Sequence, residues 1–163
     1  MPDTTRCIDA FVQEHLDRYI ADTIRLCAQP SISARGEGIA ACADLVAGML
    51  AEHDLEVQKI DTLGNPVIVG HADGKSPRTL LCYNHYDVQP PEPLELWTNP
   101  PFEPTRRDGN LYARGAADDK GELVSRLAAI DAVRAAHGGE LPCGVTLVVE
   151  GAVSYTHLRA HET

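Results

Sequence analysis

Residues 79–88, TLLCYNHYDV, begin apolar and end polar. That profile describes a buried strand whose C-terminal end emerges at an edge of an α/β sheet, where ligands collect. On its N-terminal side LEVQKID (55–61) alternates with period two, and PVIVGH (66–71) is a short apolar run, so both read as strands. The polar stretch ADGKSPR (72–78) reads as a turn separating them from the main strand. Further back, Ile8, Phe11, Val12, Leu16, Tyr19, Ile20 and Ile24 recur at helical spacing from about Thr5 to Cys27, with Pro30 as the stop. After the loop PSISARGEG (30–38), a second helix runs from about Gly38 to His53, with Ile39, Cys42, Leu45, Val46 and Met49 on one face. On the C-terminal side, six of the fifteen residues from Pro90 to Pro104 are proline, which leaves an extended loop that Trp97 and Phe102 can anchor. Asp108-Gly109 marks a turn before the short strand LYA, and a helix follows from about Asp119 to His137, ended by Gly138-Gly139. VTLVVE (145–150) closes the pattern as a buried parallel strand. Strands alternating with helices define an α/β fold with a mostly parallel sheet flanked by helices.

Composition narrows the function. The 163 residues are 44% hydrophobic and 23% charged, ordinary for one globular domain. Fourteen Lys and Arg against twenty-four Asp and Glu give a net charge of -10, which speaks against nucleic acid or an anionic membrane as partner. Cys7, Cys27, Cys42, Cys82 and Cys143 are odd in number and scattered through apolar stretches, so they read as small buried hydrophobes in a reducing compartment. No apolar run approaches the roughly 18 residues that span a bilayer, and the expected location is the cytoplasm.

The chemistry-bearing residues fall into two groups. His85 and Asp87 stand two apart on the main strand, so both side chains should leave one face of the sheet. This suits a metal ligand and its orienter, since a ligating imidazole commonly donates its second N–H to a carboxylate; a solvated strand end would carry the same two residues. Asp118 and Asp119 stand where the RGAA loop enters the next helix, and capping explains acids there without any metal. Capping does not explain Gly121, which costs about 1 kcal/mol relative to alanine in a helix. A close backbone approach does.

In this order and on these elements, HYDVQPPEP (85–93) and LYARGAADDKGE (111–122) resemble the zinc-dependent exopeptidase family that includes carnosinase-type dipeptidases, glutamate carboxypeptidase, acetylornithine deacetylase and succinyl-diaminopimelate desuccinylase. WTNPPFEP (97–104) and the DDKG form look most similar to its bacterial dipeptidase-like branch. The resemblance implies a three-layer catalytic domain that hydrolyses an amide bond in small peptides or N-acyl amino acids. It implies two divalent metal ions, zinc first and manganese or cobalt as alternatives, which acidify a water and polarise the scissile carbonyl. On this pattern His85 is a ligand to one metal, Asp87 is the catalytic-site acid that orients it, Asp118 bridges both metals, and the Asp118–Asp119 peptide is cis. A homodimer formed through a lid or dimerisation domain is also implied.

The family's general base is the first of two glutamates following the strand that here reads VTLVVEG, whereas Ala152, Val153 and Ser154 stand in that place. Residues 152–163, AVSYTHLRAHET, read as a non-native tail of translated sequencing-adapter DNA, and residues 1–151 as the N-terminal part of the catalytic domain without its lid domain. His157 and His161 are spaced i, i+4, but the order H-x-x-x-H-E is not the H-E-x-x-H of a zinc helix. With His85 and Asp118 as its only metal-binding side chains, the chain is expected to bind metal weakly and to lack activity. Two other readings are a non-catalytic half-domain acting as a binding or regulatory module, and a nucleotide-binding domain. The second is disfavoured because no G-x-G-x-x-G or P-loop spacing occurs.

Overall fold

A computed structural model describes residues 3–152, so Val153, Ser154, His157, His161 and nearly all of the tail lie outside the described residues. Helix α1 (Thr4–Ala28) starts at Asp3, whose Oδ1 accepts a hydrogen bond from the Thr5 N–H at 3.1 Å. Helix α2 covers Ile39–Glu52 and helix α3 Lys120–Ala136. Strands β1 (Glu56–Ile60), β2 (Val67–Ala72), β3 (Gly74–His85) and β6 (Leu141–Glu150) form one sheet. Strands β4 (Thr105–Arg107) and β5 (Asn110–Tyr112) form a separate hairpin around Asp108-Gly109.

The main sheet runs β1-β2-β6-β3. Only β3 and β6 are parallel; β1–β2 and β2–β6 are antiparallel, so the mostly parallel sheet expected from the sequence is instead mixed. The cause lies in the connections. A tight return after Ile60 makes β1 and β2 antiparallel, while the crossover through α3 brings β6 back parallel to β3 and between β3 and β2. The stretch read as a turn is also mostly strand. Gly74 pairs with Leu141 and Ser76 with Cys143, and an irregularity between Ser76 and Thr79 accommodates Pro77, which has no N–H to give a ladder.

Alternation along the strands separates the two faces of the sheet. Ile68, Gly70, Val145, Leu147, Val149 and Cys82 face the core, where α2 lies over β1 and β2 and α3 over β3 and β6. Helix α1 packs on α3 and more lightly on α2. All three described helices therefore lie on one side, so the third layer implied by the family resemblance is absent among the described residues. The opposite face presents Val69, His71, Thr146, Val148, Leu81 and Tyr83, with Leu81 67% exposed. Beside β3, an apolar concavity is lined by Leu80, Cys82, Ile130, Val133, Leu141 and Val145.

The proline-rich segment is anchored through Trp97, one of the two residues expected to hold it. The Trp97 indole N–H donates to the Pro91 carbonyl at 2.7 Å, and the Arg114 guanidinium lies 5.4 Å from the Trp97 ring centre. The loop therefore rests against the residues leading to Asp118.

Candidate metal centre

Strand β3 ends at His85, paired with Glu150 of β6. Asp87 lies just beyond the strand, so its relation to His85 comes from the loop and not from strand alternation. That loop is tied down on every side. Tyr86 N–H donates to Glu150 O at 2.8 Å, the Ser31 hydroxyl to Tyr86 O at 2.7 Å, and Val88 N–H to Ser31 O at 2.8 Å. The fully buried Asp87 accepts from the Ser33 hydroxyl at 2.5 Å.

The His85 ring is held at both nitrogens. Nδ1 lies 3.0 Å from the Asp87 carbonyl and 3.3 Å from its Oδ1, while Nε2 lies 3.0 Å from Asp118 Oδ1. Burial alone would lower the imidazole pKa, but the hydrogen bonds and charge of Asp87, reinforced by Asp119, push it up to about 9. As the imidazolium, the ring donates to Asp87 on one side and to Asp118 on the other. The two acids differ sharply: Asp87 is sealed in, whereas the Asp118 side chain is 80% exposed.

Asp118 and Asp119 are joined by a cis peptide, as the family resemblance implied. Their carboxylates diverge. Asp119 immediately precedes α3, yet its side chain makes no capping bond. Instead its Oδ2 accepts from Asn84 Nδ2 at 2.7 Å and from the His85 N–H at 3.0 Å. Lys120 is fully buried, and its ammonium donates to the carbonyls of Leu26 (3.1 Å) and Gln29 (2.6 Å) at the C-terminal end of α1. Burial pulls the Lys120 pKa down, against the stabilising charge of nearby groups.

Two glycines make the turn possible. Gly115 has φ +89°, a conformation that L side chains rarely adopt. A Cβ on Gly121 would stand 2.1 Å from the Ala116 carbonyl oxygen, the close backbone approach its sequence position suggested.

The structure thus brings His85, Asp87 and Asp118 together at one end of the sheet. Among the described residues, no group of three or more His, Cys, Asp or Glu side chains is arranged to hold a metal ion. The pair His85–Asp118 has the donor chemistry of part of a zinc or manganese site, one imidazole nitrogen and one exposed carboxylate, but it is not a complete set. Sequence reasoning missed Asn84 and Lys120. A polar residue at the end of an otherwise apolar strand was the one available signal for Asn84; lysine in the first turn of a helix ordinarily reads as solvated.

A family model described as Peptidase family M20/M25/M40 matches residues 81–152. A succinyl-diaminopimelate desuccinylase of Azoarcus sp. (strain BH72) is 46% identical over 99 residues, covering 60% of this chain and 26% of the relative. A cysteinylglycine-S-conjugate dipeptidase of Corynebacterium striatum is 39% identical over 112 residues, covering 67% of this chain and 24% of the relative. The chain therefore spans about a quarter of the length of these curated relatives. Among solved structures, an M20 family metallo-carboxypeptidase from Sulfolobus solfataricus superposes with a TM-score of 0.76 at 36% identity, covering 82% of this chain and 30% of that one. Human carnosine dipeptidase 1 superposes with a TM-score of 0.79 at 26% identity, over 98% of this chain and 38% of that one.

Proposed function

Residues 81–152 belong to the peptidase family M20/M25/M40, and from that premise we propose that the whole protein is a metal-dependent amidohydrolase acting on dipeptides or N-acyl amino acids. The observation that carries the reading is the His85 ring, held by Asp87 at Nδ1 and facing the exposed Asp118 carboxylate at Nε2, 3.0 Å away. Two divalent cations, zinc in the first instance and manganese or cobalt otherwise, would supply Lewis-acid polarisation of the scissile carbonyl and a more acidic water. His85 and Asp118 are the side chains that would hold them. Asp87 accepts a hydrogen bond from Nδ1–H, which fixes the tautomer and aims Nε2 outward. His85 must surrender its second proton to act as a ligand, so protons and metal compete for the same nitrogen.

Residues 1–151 are assigned to the N-terminal part of the catalytic domain. Remaining ligands and the general base belong to a part of the protein beyond it, and this 163-residue chain is inactive alone. The five free cysteines suit the proposed cytoplasmic setting, and the family resemblance supports a homodimer formed by the whole protein through a lid domain. No helix among the described residues is long and apolar enough to cross a membrane.

The chain should be assayed with zinc, manganese or cobalt against a panel of dipeptides and N-succinyl amino acids. No product is expected. Metal-dependent product release that His85→Ala abolishes would establish catalysis by this chain and sink the claim of inactivity. Metal affinity unchanged in both His85→Ala and Asp118→Ala would sink the site assignment.

A further inference from the structure

Asp119 stands where a helix cap belongs, yet its carboxylate is turned away from the helix. One oxygen, Oδ2, accepts hydrogen bonds both from Asn84 Nδ2 and from the backbone N–H of His85. Asn84 is fully buried, and its own Oδ1 has no hydrogen-bond partner among the described residues. Leaving a buried amide oxygen unpaired is costly. A leucine would fill the same space without that cost, so packing alone does not account for asparagine here.

Connectivity supplies the reason. The clamp grips the residue after Asp118 and the residue before His85, as well as the His85 backbone itself. It joins strand β3 to the loop entering α3 at one oxygen atom. The separation between His85 Nε2 and Asp118 Oδ1 is thereby set from behind, by hydrogen bonds that end on neither of those atoms.

We propose that Asn84 and Asp119 are positioning residues that set the spacing of the His85–Asp118 pair for metal binding; this rests on the functional reading above. Asp119 acts through hydrogen bonding and not as a ligand. The amide oxygen of Asp119→Asn can accept the same two bonds, whereas Asp119→Ala accepts neither.

The test is Co²⁺ binding by the full 163-residue chain, followed by calorimetry and by the absorption of the bound ion, with a thermal melt of each variant alongside. Asn84→Leu is expected to bind Co²⁺ about 10- to 100-fold more weakly, the usual effect of removing a residue that orients a ligand, while it still unfolds in one cooperative transition. Asp119→Ala should lose affinity to the same extent, and Asp119→Asn should retain most of it. Unchanged Co²⁺ affinity in folded Asn84→Leu would overturn the proposal, as would equal losses in Asp119→Asn and Asp119→Ala, which would make Asp119 a ligand. His85→Ala and Asp118→Ala serve as controls. If they weaken binding and the clamp variants do not, the clamp alone fails; if they too leave it unchanged, the metal site itself fails.

Discussion

Two of the histidine–carboxylate junctions among the described residues have opposite character. Where the three helices meet, His53 Nδ1 lies 2.7 Å from Asp131 Oδ2, and its Nε2 lies 3.5 Å from Asp22 Oδ2, an ion-pair distance without a hydrogen bond. The Tyr19 hydroxyl donates to Asp131, the Arg134 guanidinium donates to the His53 carbonyl, and Arg25 pairs with Asp22. His53 is completely buried, and the Asp131 side chain is only 10% exposed. At the end of the sheet, His85 faces an Asp118 carboxylate that is mostly in solvent. Similar chemistry serves two ends: a junction sealed among three helices ties elements together, whereas a junction with an open carboxylate has capacity left for a ligand.

Removing one acid from each junction separates these roles. Asp131→Ala strands His53 and Tyr19 together in the interior and should lower unfolding stability by about 3–5 kcal/mol, the usual cost of breaking a buried pair. Urea denaturation measures it; a loss under about 1 kcal/mol would mean that the helix junction is not held by this acid. Lys120→Met probes the link between the regions, because Lys120 belongs to the site loop but bonds to α1. With two carbonyls at the end of α1 left without their donor, a loss of about 1–3 kcal/mol is expected in the same experiment. Undiminished stability would show that α1 docks without the ammonium. Asp118→Ala should be the mildest, within about 0.5 kcal/mol of the parent, while abolishing the Co²⁺ absorption band. Large destabilisation would make Asp118 a structural residue like Asp131.

Much of this was readable from the sequence wherever the physics is local. Helical spacing located α1, α2 and α3 to within a residue or two at each end, and Asp108-Gly109 announced its hairpin. His85 and Asp118 could be singled out as candidates because each lies in a contiguous motif. Features made by distant residues left no such trace. Gly74 and Ser76 look like turn residues and become strand only because β6 arrives beside them. Helix capping is a local rule, and it assigned Asp119 to α3; a strand end 35 residues earlier in the chain took its carboxylate instead. Lys120 reaches carbonyls 91 and 94 residues away, a partnership that no periodicity encodes. The mixed sheet has the same origin, since strand direction depends on which neighbours meet and not on what each strand contains.

Strand β6 is made after every other strand yet lies between two of them. During synthesis β2 can pair with β1 as it emerges, but β3 has no partner in the sheet until Leu141–Glu150 arrives, and the second edge of β2 waits for the same strand. Pairing of His85 with Glu150 closes a loop of more than sixty residues, and such non-local closures come late and slowly. The helices can therefore gather first, while the end of the sheet that carries His85 takes shape only once the ribosome has passed residue 150. Until then the apolar run of β3 is uncovered, and this is the interval in which the nascent chain is most exposed to aggregation.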